Sequence, residues 1–361
     1  YLSSKRFPFY PDQIHEIPEE KKVLGVKMPR VAYKNGMWMA NVPYREMKKV
    51  LNKFKPEVIH SQQAGTIGIA AAHYANKNSV PFVSTGHSYP DNYTDQFKLL
   101  RPFKKPVDAI VKAYLNNYMK NGEFATMPTE MAIHDLVPKR SWRFRVKVQA
   151  LSNGIDLSQY YPAEPKLSVC KKYGIDPDQP RIVYIGRVDP EKSIDVVIDA
   201  YAKIMKDFPK SEFVIVGDGI ARNSLEKDVK ERGLDKQIRF LGKIMPPETV
   251  EIYRSGTLFA TASETETQGI VLIEAAAVGL PLIAVDAGAV KELCQNKKNG
   301  ILCKPDDVNG IARAMKKILS DKKLQKEYSK GSIEISKKHD LNYTLDQFVE
   351  IYKKAIAAIS H

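Results

Sequence analysis

The sequence predicts an α/β protein built on two doubly wound parallel sheets. Three observations carry this. Between positions 181 and 319, short apolar, β-branched-rich runs alternate six times with helix-length amphipathic stretches. Between positions 57 and 85 stands a strand–helix–strand unit, whose long crossover implies parallel pairing. The 361 residues, 43% apolar and 27% charged, have the composition of about two ordinary globular domains. That composition excludes a disordered chain, a collagen and a disulfide-stapled miniprotein. No run of 18 apolar residues occurs, so no transmembrane helix is expected.

Residues 1–45 are rich in proline (Pro8, Pro11, Pro18, Pro29, Pro43) and read as irregular. A helix is expected over 44–54 and a short strand over 57–60. A helix of small residues over 66–77 suits packing on a sheet, and the next strand falls at 80–85. The segment 98–121 alternates basic residues (Lys98, Arg101, Lys104, Lys105, Lys112, Lys120) with apolar ones. Its second half is a helix with an apolar stripe at Ile110, Val111, Tyr114, Leu115 and Tyr118. Such a helix either packs on a core or lies on an anionic lipid surface.

Asn153-Gly154 marks a turn between the two domains. Strands then follow at 181–186, 212–217, 238–241, 258–261, 281–285 and 300–303. Helices follow them at 193–206, 221–232, 247–254, 269–278, 288–294 and 307–319, and a last amphipathic helix covers 343–358. The expected division is 1–150, 151–335 and a C-terminal helix, 336–361, packing back toward the first domain.

Charge is unevenly distributed. Residues 1–150 carry 24 basic and 12 acidic side chains, a net +12 out of the chain's +14; residues 151–361 carry 32 and 30. Such asymmetry suggests either a solvated basic surface or an anionic partner of the first domain: nucleic acid, a lipid surface or an acidic substrate. No RNA- or DNA-binding motif is present, so nucleic acid is not expected. Cys170, Cys294 and Cys303 form neither a CxxC pair nor an even framework, which fits a reducing compartment.

In an open parallel sheet, ligands bind beyond the carboxyl ends of the strands. After the strand at 181 comes Gly186-Arg187-Val188-Asp189-Pro190-Glu191-Lys192. Two cations five apart, ahead of a helix N-terminus, suit a phosphate. After the next strand, Gly217-Asp218-Gly219 lets a ligand approach the backbone, without a full dinucleotide fingerprint. After the strand at 258 comes Ser263-Glu264-Thr265-Glu266-Thr267-Gln268-Gly269, and seven residues separate Glu266 from Glu274. Those two carboxylates can bond hydroxyls at opposite ends of one ligand, while the main-chain amides of Thr267, Gln268 and Gly269 face a phosphate or sugar oxygen.

These segments, with Ser152-Asn153-Gly154-Ile155-Asp156, resemble the GT-B-fold retaining glycosyltransferases of family 4. The Thr-Glu-Thr-Gln-Gly loop resembles that of diacylglycerol glycosyltransferases in particular. The resemblance covers residues 1–361 in some form, most strongly 145–305. It implies two Rossmann-like domains, the first binding the acceptor and the second the donor. It implies that Glu274 bonds the ribose and Glu266 the donor sugar, and that Arg187 and Lys192 hold the leaving diphosphate. Backbone groups of Gly242, Lys243 and Ile244 would lie against the base. Ser84-Thr85-Gly86-His87-Ser88-Tyr89 matches the family's T-x-H segment, making His87 the histidine near the reaction centre. Where lipid-directed relatives often carry H-x-H, this chain has His60-Ser61-Gln62.

The resemblance also implies an opening strand, Gly-rich loop, helix and strand ahead of Tyr1, so the first domain reads as incomplete at its start. No metal or cofactor is expected: Asp176-Pro177-Asp178 precedes a strand and reads as a turn. The expected activity is transfer of a hexose, with retention, from a nucleotide-sugar, UDP-glucose, to a membrane lipid such as diacylglycerol. The expected location is the cytoplasmic face of a membrane, in peripheral association. A soluble or polyprenyl-linked acceptor with GDP-mannose as donor, or a nucleotide-binding fragment without turnover, are the alternatives.

Overall fold

The computed structural model describes residues 30–32, 38–40, 44–62, 64–87, 104–136 and 147–359. The expectations for residues 1–29, Ser88, Tyr89, Lys98 and Arg101 lie outside them.

The first described elements are an antiparallel pair, β1 (Arg30–Ala32) and β2 (Trp38–Ala40), in a stretch the sequence marks as irregular. There follow α1 (Tyr44–Phe54), β3 (Ile59–Ser61), α2 (Thr66–Asn78), β4 (Phe82–Thr85), α3 (Lys104–Met119), β5 (Phe124–Met127), α4 (Glu130–Leu136) and β6 (Lys147–Ala150). Among the described residues β3, β4, β5 and β6 form a parallel sheet in that order. The stripe foreseen on α3 divides. Leu115 and Tyr118 are buried and Val111 packs beside them, while Ile110 (69% exposed) and Tyr114 face outward. At 100° per residue, a stripe spanning 110–118 is wider than the contact this helix makes with the sheet.

The second sheet follows α5 (Leu167–Lys172). It comprises β7 (Arg181–Ile185), α6 (Ile194–Ile204), β8 (Glu212–Val216), α7 (Arg222–Glu231), β9 (Ile238–Gly242) and α8 (Glu248–Arg254). Then come β10 (Leu258–Ala260), α9 (Ile270–Ala277), β11 (Leu282–Val285), α10 (Val290–Leu293), β12 (Gly300–Cys303) and α11 (Val308–Ser320). Its strands are parallel, in the order β12-β11-β10-β7-β8-β9. Helices cover both faces, so the strands read as continuous apolar runs. Alternate residues feed two cores: Val183, Val214, Phe259 and Ala284 on one side, Ile182, Phe213, Leu258 and Ile283 on the other. Arg181, fully buried, is held by Glu212 at 2.5 Å and donates to the carbonyls of Ser255 and Asp176.

Two helices close the chain, α12 (Lys322–Ser336) and α13 (Leu341–Ile359). Asp321 breaks the helical run between α11 and α12 and caps the latter, accepting from Leu324 N at 2.9 Å. α13 lies on the first sheet, where Ile351 and Ala355 join Val83, Phe124 and Leu151 in one cluster. No helix of the described residues is long and apolar enough to cross a membrane.

Candidate functional site

The second sheet reverses its order between β7 and β10. From β7 the chain winds outward through β8 and β9, then returns to β10 on the other flank of β7. Loops leaving the carboxyl ends of these two strands diverge and open a crevice. The loop after β7 carries Arg187 and Lys192; the loop after β10 carries Glu266. They meet there: Lys192 Nζ donates to Glu266 Oε1 at 2.6 Å and lies 3.5 Å from Ser263 Oγ. The two charged side chains are only 11% and 17% exposed.

Arg187 instead forms ion pairs with Asp189 and Glu191, so its charge is locally balanced. Val188 N donates to Asp218 O, and Ile220 N to Asp189 Oδ1, which lock this loop to the one after β8. Strand ends approach closely there. A Cβ on Gly217 (φ +137°) would fall 1.8 Å from the Gly186 carbonyl oxygen, so the contact requires glycine. Gly219 lies against Val188 in the same way, and Gly217 N donates to Gly242 O. Of the segment expected beside the base, Lys243 is exposed, while the Ile244 side chain is buried in the core.

Gly269 opens α9 with φ +77°, and a Cβ there would meet Leu272 Cδ1 at 2.6 Å. Its neighbour Gln268 is 2% exposed, with both carboxamide atoms in use. Oε1 accepts from Asn153 N at 3.2 Å, and Nε2 donates to Ser152 Oγ at 2.6 Å. Thr267 O accepts from Thr129 Oγ1 at the start of α4. The Glu266 loop is therefore tied to the linker and to the first sheet's side of the molecule.

Glu274 lies within α9 among Leu272, Ile273, Ala275 and Ala276, all buried. Burial pushes its carboxyl above the ordinary range, and hydrogen bonds from Tyr253 and Tyr160 oppose that rise. Tyr253 Oη donates to Oε2 at 2.9 Å. Neither tyrosine was singled out in the sequence, where nothing local distinguishes them from core aromatics.

His87 stands just past β4 and donates Nε2–H to Gln62 Oε1 at 2.7 Å, leaving Nδ1 as the unprotonated nitrogen. Burial lowers its pKa, so the ring is neutral near neutrality. His60, the other histidine of this edge, bonds Tyr352 of α13 through Nδ1 and Thr85 through Nε2, both at 2.7 Å. Burial, then the neighbouring His87, takes its pKa down to about 4. Gln62 thus occupies the place where a second histidine would follow His60, and it orients His87. Asp176 Oδ1 accepts from Asp178 N, a local turn. No group of three or more metal-ligating side chains occurs among the described residues.

Two parallel-sheet α/β domains, the second with its switch point between β7 and β10, have the architecture of GT-B glycosyltransferases. The comparisons agree. The family described as "Glycosyltransferase Family 4" matches residues 8–159, and "Glycosyl transferases group 1" matches residues 168–334. The chain belongs to these glycosyltransferases. It is 28% identical over 297 residues to the alpha-monoglucosyldiacylglycerol synthase of Acholeplasma laidlawii, covering 80% of this chain and 73% of that protein. It is 26% identical over 269 residues to the enzyme of the same name from Streptococcus pneumoniae, covering 72% of this chain and 59% of that longer protein. In fold it resembles the sucrose-phosphate synthase of Thermosynechococcus elongatus, with a TM-score of 0.74 at 19% identity over 91% of this chain and 86% of that one.

Proposed function

We propose that the protein transfers glucose, with retention of the α configuration, from UDP-glucose to a diacylglycerol-type lipid presented at an anionic membrane surface. Residues 151–335 bind the donor, and 1–150 receive the acceptor. The observation that carries the reading is the buried Lys192–Glu266 pair at the switch point, in a chain related over 80% of its length to an alpha-monoglucosyldiacylglycerol synthase. The net +12 of residues 1–150 supports a lipid surface over a free sugar as the acceptor's setting.

In this reading the donor's diphosphate enters above Gly186, Gly217 and Gly219, where backbone can approach it, and draws Lys192 away from Glu266. Arg187 and Lys192 then neutralise the charge that grows on the diphosphate as the anomeric C–O bond breaks. Glu266, released, accepts hydroxyls of the glucosyl group. The acceptor hydroxyl forms its bond on the face the diphosphate leaves, and its proton passes to a departing phosphate oxygen. The protein mainly positions and neutralises. Glu274 takes the ribose hydroxyls, main-chain groups of Gly242, Lys243 and Ile244 lie by the base, and the amides of Thr267, Gln268 and Gly269 face the phosphate or the sugar. His87, held by Gln62, lies on the acceptor side of the transferred sugar. In this reading Arg187 and Lys192 take the place of a metal, each turning from its carboxylates to the diphosphate.

The test is a panel of radiolabelled UDP- and GDP-sugars with vesicles containing diacylglycerol, a polyprenyl phosphate, or neither, alongside soluble sugars. Labelled glucosyldiacylglycerol formed from UDP-glucose is expected. Transfer to a soluble or polyprenyl acceptor, with none to diacylglycerol, would overturn the lipid assignment; selection of a GDP-sugar would overturn the donor.

A further inference from the structure

Glu274 is the one residue of the proposed donor site whose carboxylate is held by two tyrosines. Tyr253, on α8, is fully buried and places its hydroxyl 2.9 Å from Glu274 Oε2. Tyr160, 8% exposed, comes from the turn after the linker, and its hydroxyl stabilises the charge of the same carboxylate against burial. The two rings meet edge to face at 6.4 Å, and Tyr253 also packs on Phe259 of β10 at 6.1 Å. Neither ring can swing away without opening the core.

We propose that Tyr253 and Tyr160 are positioning residues for donor recognition: their hydroxyls fix the Glu274 carboxylate so that its remaining lone pairs meet the two ribose hydroxyls of the nucleotide. This rests on Glu274 being the ribose contact, as proposed above. A carboxylate has about four acceptor positions. Two tyrosine donors fill two of them, and a vicinal diol brings two more donors. The phenol–carboxylate bonds also satisfy an acid that would otherwise stand in an apolar helix with no donor, a state that costs more than the bond itself yields. Tyrosine suits the task because its hydroxyl sits on a rigid stem with few rotors, which sets the carboxylate plane before any ligand arrives. Tyr160 belongs to the turn following the linker and Tyr253 to α8, and both lie in one core.

The experiment measures dissociation constants for UDP and GDP and their 2′-deoxy and 3′-deoxy forms, by calorimetry. It compares wild type, Tyr253→Phe, Tyr160→Phe and Glu274→Gln, with a thermal melt of each. Wild type should prefer the ribo form of its nucleotide by about tenfold or more, the scale of one hydrogen bond to a charged group. In each Tyr→Phe variant the ribo form should weaken by at least about threefold while the deoxy forms hardly change, so the preference shrinks. A purely structural role would weaken ribo and deoxy forms alike; that outcome, or an unchanged preference in both variants, overturns the proposal. Both tyrosines lie in one core, but a general loss of stability weakens ribo and deoxy forms alike, so the ribo-to-deoxy ratio reads the hydroxyl's effect even where a phenylalanine variant melts lower. If Glu274→Gln keeps the full ribo preference, the ribose assignment of Glu274 itself falls; if Glu274→Gln loses it while both phenylalanine variants keep it, only the tyrosine proposal falls.

Discussion

Replacing Glu266 by glutamine should tighten the binding of UDP while slowing transfer. Glu266 holds Lys192 at 2.6 Å, with both side chains largely out of solvent. Unit charges about 3 Å apart attract by about 5 kcal/mol at an effective dielectric of about 20, and desolvation offsets most of that. What remains is on the scale of a charge-assisted hydrogen bond, about 1.5–3 kcal/mol. A diphosphate that takes Lys192 for itself must first replace this bond. With glutamine the competition falls to a neutral amide oxygen, so UDP should bind about tenfold more tightly. UDP lacks the sugar, so any contact between Glu266 and glucose does not enter the measurement. With UDP-glucose as substrate, kcat should fall by about 10²-fold, because the sugar loses an acceptor of its hydroxyls. The variant should also melt lower without ligand, since Lys192 is left without its carboxylate, and recover when UDP supplies the missing charge. Calorimetry with UDP and a melt with and without it are the assays. Equal or weaker UDP binding in Glu266→Gln would refute the idea that the ion pair competes with the donor.

Arg187→Ala and Lys192→Ala should each lower kcat by about 10²–10³, the scale for losing one donor aimed at developing charge; near-normal turnover in both would exclude these cations from the diphosphate. Acid should destabilise the fold through His60 and His339. Burial, with a neighbouring His87 or Lys338, lowers both pKa values to about 4. The unfolded chain therefore binds more protons between pH 6.5 and 4, and stability is full above that window and falls through it by about 3 kcal/mol per histidine. Denaturant melts across this range should flatten measurably in His60→Gln, and an equally steep profile would contradict the assignment. Sedimentation with vesicles should need anionic lipid and weaken with added salt, given 24 basic against 12 acidic residues in 1–150; equal binding to neutral vesicles at low salt would remove the electrostatic argument.

The second sheet is legible because its strands are buried on both faces and its helices on one, so continuous apolar runs and period-3.6 stretches alternate without ambiguity. Ile182–Ile185 and Phe213–Val216 announce themselves in this way. In the first half the signal is weaker. β6 is Lys147-Val148-Gln149-Ala150, half polar, and its strand character comes from pairing with β5. The β1–β2 ribbon has three residues a side, too short for any period. The site divides similarly. Arg187, Lys192, Glu266 and Glu274 follow strand ends at fixed spacing, so position alone flags them. Their partners are set by packing: Tyr253 reaches Glu274 from 21 residues away, and Gln62 reaches His87 from 25. The sequence offers the main-chain amides around Gln268 to a ligand but gives no sign that its side chain binds the linker, a contact set by packing.

That tether has a consequence for how the two halves communicate. Ser152 Oγ accepts from Gln268 Nε2 and from Gly154 N, so its single proton goes to His339 Nδ1, 2.9 Å away. The bond requires His339 to be unprotonated at that nitrogen, which its depressed pKa secures. The loop bearing Glu266 thereby hangs from a hub that includes the linker and the segment leading into α13. A second attachment runs from Thr267 O to Thr129, and a third, close by, from Glu292 Oε1 to the Met131 amide at 2.7 Å. Any rotation between the two sheets must therefore stretch the donor loop or release these bonds. If Glu266 contacts the donor sugar as proposed, its placement there would depend on how the two sheets stand, which couples the donor site to the acceptor side of the molecule.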